Sequence, residues 1–151
     1  MRIEINDLTG REIAELLQEH IDEMRSVSPP ESKHALDLEG LRRPEITLWG
    51  VWDGTVLVGC GALKELEAGH GEVKSMRTSA AYQQKGVASM VLQHLIDEAK
   101  RRGYGRLSLE TGSMPFFEPA RRLYAKFGFE ACAPFGNYRA DPNSVFLTKV
   151  L

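Results

Sequence analysis

The chain has 151 residues, 42% apolar and 26% charged, with 19 Lys and Arg against 21 Asp and Glu and a net charge of −2. That length matches one ordinary domain, residues 1–151, with enough material for a sizeable core. The charge balance excludes the dense basic surface expected of a protein that grips nucleic acid or an acidic membrane.

Cys60 and Cys132 both fall in apolar runs, which predicts two buried free thiols rather than a disulfide or a metal pair. The opening residues MRIEINDLTG lack the apolar stretch of a secretory signal, and no run approaches a membrane span, so a cytoplasmic protein is expected. Arg2 to Ile5 alternates with the strand period. Thr9-Gly-Arg-Glu12 predicts a capping box at a helix start. Ile13, Leu16, Leu17, His20 or Ile21, and Met24 follow at helical spacing, to an end near Ser26. Ser32 to Leu41 is a second, weaker helical stretch. Ile46 to Trp52 and Thr55 to Leu66 read as a hairpin turned at Asp53-Gly54. Gly59 and Gly61 in its second strand predict a bulge or a close backbone contact.

Past the Gly69-His-Gly71 loop, Glu72 to Thr78 reads as a strand with Glu72, Lys74 and Met76 along one face. Gly86 to Arg102 is the clearest helix, with Val87, Val91, Leu95 and Ala99 on one stripe and Gly103 closing it. Arg106 to Glu110 is a strand, Pro119 to Phe127 a short helix ended by Gly128, and Phe129 to Cys132 and Val145 to Val150 the last strands. The order β-α-α-β-β-β-α-β-α-β-β predicts an α+β or mixed α/β fold on a single sheet.

Tyr82-Gln-Gln-Lys-Gly-Val-Ala88 carries the most chemistry, because it is a glycine-bearing turn into the long helix. The first N–H groups of a helix lack internal partners and lie at the positive end of its dipole, a geometry that suits a phosphate. Neither a Walker phosphate loop nor a Gly-x-Gly-x-x-Gly fingerprint is present. The alternative reading is a plain strand-to-helix turn.

Gln83-x-x-Gly86-x-Ala88 resembles the Gln/Arg-x-x-Gly-x-Gly/Ala signature of the GNAT superfamily of acyl-CoA N-acyltransferases. Glu72–Thr78 is similar to that superfamily's central strand, Leu107–Gly112 to its fifth, and Ala120-x-x-Leu123-Tyr124-x-x-Phe127-Gly128-Phe129 to its frequent Ala-x-x-Leu-Tyr-x-x-x-Gly-Phe run. Two positions depart from the common pattern: Ala80 where proline is frequent, and Phe117 where asparagine is frequent.

The resemblance implies a mixed, mostly antiparallel sheet flanked by helices and splayed between strands four and five. It implies acetyl-CoA as acyl donor, without a metal, and a small-molecule or peptide amine as acceptor. The donor's pantetheine arm is expected on the backbone of Met76 and Thr78. The pyrophosphate is expected on the N–H groups of Gln84, Lys85, Gly86, Val87, Ala88 and Ser89, with Gln83 beside them and Lys85 adding charge at the rim. Tyr124 is the candidate acid for the leaving thiolate, with a half-buried core aromatic as the alternative. Glu72 and Glu110 are the candidate bases, with solvated strand-end charges as the alternative. Arg139 or Arg25 would suit an acceptor bearing a carboxylate, Glu31 or Asp141 a cationic one. A CoA-binding sensor without turnover and an acyltransferase of longer acyl groups are the competing functions. A homodimer is expected by analogy alone.

Overall fold

The computed structural model describes residues 1–27 and 36–151. Ser28-Pro-Pro-Glu-Ser32, Glu31, His34 and most of the first half of the expected second helix lie outside the described residues. The elements are β1 (Arg2–Ile5), α1 (Arg11–Val27), α2 (Leu38–Leu41), β2 (Ile46–Asp53), β3 (Val56–Glu67), β4 (His70–Thr78), α3 (Val87–Arg101), β5 (Arg106–Gly112), α4 (Glu118–Lys126), β6 (Glu130–Ala131) and β7 (Ser144–Val150). They match the expected order. One seven-stranded sheet runs β1-β2-β3-β4-β5-β7-β6. Every neighbouring pair is antiparallel except β4 with β5.

Two local expectations are corrected. The Thr9 hydroxyl donates to Asp7 Oδ1 at 2.6 Å, and the Thr9 N–H donates to the same oxygen. An Asx turn has therefore taken the group that a capping box would have used, and α1 begins at Arg11, too late for Thr9 to cap it. In the hairpin, Asp53 pairs with Val56, so the two loop residues are Gly54 and Thr55, and Gly54 carries the positive φ of 62°.

Helix α3 covers one face of the sheet with the predicted stripe, joined by Leu92 and Ile96, all buried. Helix α1 covers the other, seating Ile13, Leu16 and Leu17 against Leu48, Cys60 and Ala62. Each buried aliphatic side chain contributes about 1.5–3 kcal/mol. The glycines of β3 set how closely α3 docks. A Cβ on Gly59 would stand 2.6 Å from Val87 Cγ1, and one on Gly61 2.4 Å from Val91 Cγ1. Cys60 is a buried free thiol, whereas free Cys132 is partly exposed at the sheet's edge, contrary to expectation.

Two irregularities in β4 position the site. Pairing with β5 covers only His70↔Arg106, Gly71↔Leu107 and Glu72↔Ser108, after which the strands separate. On its other side, Cys60 pairs with Arg77 and Ala62 with Lys74, so Ser75 and Met76 together face Gly61. This bulge places Ser75 at φ 54°. The extra residue breaks the expected alternation. Lys74 stays on the α1 face with Glu72, and Met76 turns to the α3 face, where its Sδ would lie 3.0 Å from a Gly61 Cβ.

Candidate active site

Where β4 and β5 part, a cleft of about 650 Å³ opens between them. Its walls are the freed half of β4, the turn into α3, the end of β5, α4, and on the far side α1.

The turn into α3 leaves the helix start open and uncapped. Gln84 (φ 62°) and Gly86 (φ 84°) both take left-handed backbone, and no side chain caps the helix start. The first bond of the helix runs from Met90 N to Gly86 O, so the N–H groups of Val87, Ala88 and Ser89 have no partner within the helix. A Cβ built on Gly86 would meet nothing within 4 Å, so the approach to these donors is open. Gln83, Gln84, Gly86, Val87, Ala88 and Ser89 all line the cleft, as do Met76 and Thr78 of the β4 segment that has no partner on its β5 side. These residues fit a diphosphate at the helix start with an extended chain along β4. Lys85 is absent from the wall; its Nζ lies over the Tyr82 ring, 5.1 Å from the centroid.

Glu72, Glu110 and Tyr124 reach the same cleft. Glu72 is not the solvated strand end of the alternative reading, because it is only 2% exposed. Its Oε2 accepts from Tyr138 Oη at 2.5 Å and from Lys74 Nζ at 3.2 Å, and Lys74 Nζ also donates to Tyr138 Oη at 2.8 Å. Burial, followed by the Glu72 charge, pushes the Tyr138 phenol well above its ordinary value of 10, so it stays a donor. Tyr124 is buried at 7% exposure and stacks edge-on against Phe129. Burial first, and the Glu110 carboxylate second, raise its pKa far above 10. Phe117, standing where the superfamily often has asparagine, packs its ring against Gly112 at the end of β5.

The α1 wall contains groups that sequence reasoning passed over. Arg77, 9% exposed, forms ion pairs with Glu19 and Glu23 and so pins α1 to β4. His20 lines the cleft with its Nδ1 buried and unpartnered, and burial, aided by the Arg77 charge, lowers its pKa to about 4. The i, i+4 spacing of Glu19 and Glu23, with His20 three before Glu23, was visible on one helix, but their partner on β4 was not, because the bulge alters which face Arg77 presents.

A family model described as acetyltransferase (GNAT) matches residues 13–129. The chain is 64% identical over 151 residues to an uncharacterized N-acetyltransferase of Bacillus subtilis (strain 168), YsnE, covering 100% of both proteins. It is 36% identical over 141 residues to an IAA acetyltransferase of Azospirillum brasilense, covering 92% of this chain and 90% of that one. Among solved structures, a Bacillus subtilis acetyltransferase in complex with CoA superposes with a TM-score of 0.71 at 21% identity, over 99% of this chain and 98% of that one.

Proposed function

This chain belongs to the acetyltransferase (GNAT) family, and from that premise we propose that it acetylates a primary amine, with Glu72 taking the amine's proton and Tyr124 supplying one to the departing sulfur. It is an acyl-CoA-dependent acyltransferase, and acetyl-CoA is its donor. Residues 1–151 act in this reading as one catalytic domain.

The observation that carries the reading is that an open anion cradle, a strand segment without a partner on its β5 side, a buried carboxylate and a buried phenol all face one cleft. The cradle at Gln84–Ser89 would hold the pyrophosphate, and the backbone of Met76 and Thr78 would hold the pantetheine arm as an added strand. The bound donor supplies the activated acyl carbon. An amine with an ordinary pKa of about 10.4 arrives as ammonium. Glu72, fixed through one oxygen by Tyr138 and Lys74, takes that proton at its carboxylate. The new N–C bond replaces the C–S bond, and the sulfur takes the phenolic proton of Tyr124. The nitrogen sheds its second proton through water to the Tyr124 phenolate, and Glu72 releases the first to solvent, which restores both groups. Glu110, beside Tyr124, keeps the phenol protonated until the sulfur needs it.

Release of free thiol from acetyl-CoA across a panel of amines tests the reading. Turnover in the wild type and its loss in Tyr124→Phe, with acetyl-CoA binding intact, is the expected result. Binding without acetylation of any amine would favour a sensor, and faster use of succinyl- or longer acyl-CoA would favour a different donor.

A further inference from the structure

Glu72 faces two ways. With Lys74 and Tyr138 it lines the cleft, and the same three residues line a second cavity of about 800 Å³ between the end of β3, the start of β4 and the loop at 136–141. Among the described residues three carboxylates line the cleft, Glu23, Glu72 and Glu110, and of these Glu72 alone also lines the second cavity. We propose that this cavity is the exit for the proton that Glu72 takes from the amine, and that Lys74 relays it. This rests on the acyl-transfer reading above and goes beyond it by giving a route and a residue to the step that resets the base.

Burial creates the need for an exit. Glu72 is only 2% exposed, and a base must lose its proton once in every turnover. In the reacting complex the donor and the acceptor fill the cleft, and a site closed around its reactants expels water. The second cavity stays clear of both. Its wall carries charges of both signs, Lys64 and Arg139 against Glu67 and Asp141, together with His70. A roomy concavity with polar walls holds water. Charges that balance leave no field of one sign to retain a departing proton.

The contacts supply the relay. Lys74 Nζ donates to Glu72 Oε2 at 3.2 Å and to Tyr138 Oη at 2.8 Å, and Tyr138 Oη donates to the same carboxylate oxygen at 2.5 Å. As a carboxylate, Glu72 balances the Lys74 ammonium. Once Glu72 has taken the amine's proton it is neutral, and the ammonium, with its side chain 9% exposed, is left without a counter-charge. Lys74 then releases one proton to water in the second cavity. Its neutral amine takes the carboxyl proton of Glu72 across the 3.2 Å contact. One proton has entered at Glu72, one has left at Lys74, and the ion pair is restored. Tyr138 is a positioning residue. Burial and the Glu72 charge keep its phenol protonated throughout, so it holds the carboxyl in place from the loop.

The test replaces Lys74 and supplies a base from outside. Lys74→Arg keeps the positive charge beside Glu72 but does not give up its proton, and Lys74→Gln, smaller and neutral, keeps a donor without a titratable group. Thiol release from acetyl-CoA is measured with the amino acid, polyamine, aminoglycoside or dipeptide that the wild type acetylates fastest. The assay runs in dilute buffer and with rising N-methylmorpholine, a tertiary amine base that cannot itself form an amide. Each variant is expected to lose about tenfold or more in kcat and less in kcat/KM, because the exit follows acyl transfer. N-methylmorpholine is expected to restore kcat in both and to leave the wild type unchanged. Wild-type kcat in either variant, or a loss in both that the added base does not restore, overturns the relay. Glu72→Gln separates the two levels. Loss of acetylation in Glu72→Gln beside undiminished Lys74 variants overturns the exit alone, and wild-type turnover in Glu72→Gln overturns the base assignment beneath it.

Discussion

Tyr138 donates its phenolic hydrogen to Glu72 Oε2 at 2.5 Å, across 66 residues of chain. The tyrosine comes from a turn-rich loop and the carboxylate from the third rung of the parallel β4–β5 pair. This contact ties the closing loop to the candidate base. Tyr138→Phe removes a hydrogen bond to a buried charge and is expected to destabilise the fold by about 1–3 kcal/mol. It should also lower kcat more than it raises the KM for acetyl-CoA. Chemical denaturation and steady-state kinetics on the one variant measure both.

Tyr124→Phe is expected to lower kcat by about 10²–10⁴-fold while the fold and cofactor affinity persist. The phenol must be protonated to act, and burial raises its pKa in the folded protein above the ordinary 10. An alkaline fall in rate caused by Tyr124 therefore belongs well above pH 10. The same shift adds stability that is fully present below pH 10 and is lost as pH rises toward the folded value. A rate profile with a limb near pH 8 that vanishes in Tyr124→Phe would contradict the assignment.

Gly86 separates backbone strain from charge. Gly86→Ala and Gly86→Glu both force a side chain into φ 84°, at a cost of about 1–2 kcal/mol. Only the glutamate places a negative charge at the open helix start. Acetyl-CoA at a hundred times its Kd is expected to stabilise the wild type by about 2.7 kcal/mol, or roughly 5–10 °C. The shift should remain in the alanine variant and vanish in the glutamate variant, as read by thermal melts.

His20 gives a pH signature on stability. Its folded pKa is lowered to about 4 from 6.5, by burial and by Arg77 against the opposing pull of Glu23. Below pH 6.5 the unfolded chain takes up this proton and the folded chain does not. Stability supplied by the neutral ring is therefore lost as pH falls from 6.5 toward 4. His20→Gln should flatten that part of a melting-temperature profile, and an unchanged slope would exclude this histidine as its source.

Gly61→Ala drives a methyl into Val91 and is expected to cost about 1–3 kcal/mol. Adding Val91→Ala removes the atom it strikes, Val91 Cγ1, at 2.4 Å. The double variant should be more stable than the sum of the two single changes predicts, with a coupling that a double-mutant cycle measures.

The fold was legible in the sequence because its signals are local. The stripe Val87-Val91-Leu95-Ala99, the closing glycines Gly103 and Gly128, and the alternating strands each specify an element without reference to the rest. The open helix start was legible for the same reason, since Gln83 to Ser89 is one continuous turn. The contacts of Glu72 with Tyr138 and of Arg77 with Glu19 and Glu23 were not, because each joins segments far apart in the chain. Lys74 and Met76 were assigned one face because an alternating pattern cannot announce an inserted residue, and the bulge at Ser75 depends on pairing with β3. Thr9 shows the reverse case. Its capping pattern was present, and the neighbouring Asp7 outcompeted it.

Only three rungs, from His70↔Arg106 to Glu72↔Ser108, join the strands β1–β4 to the strands β5–β7 within the sheet. The sheet is in that sense two leaves hinged at one end, with Glu72 on the last rung before they open. An extended molecule laid between the leaves would complete the missing ladder and stiffen the hinge. Amide hydrogens of residues 73–78 and 109–112 should then exchange more slowly with deuterium when acetyl-CoA is present, while those of α1 remote from the opening keep their rates.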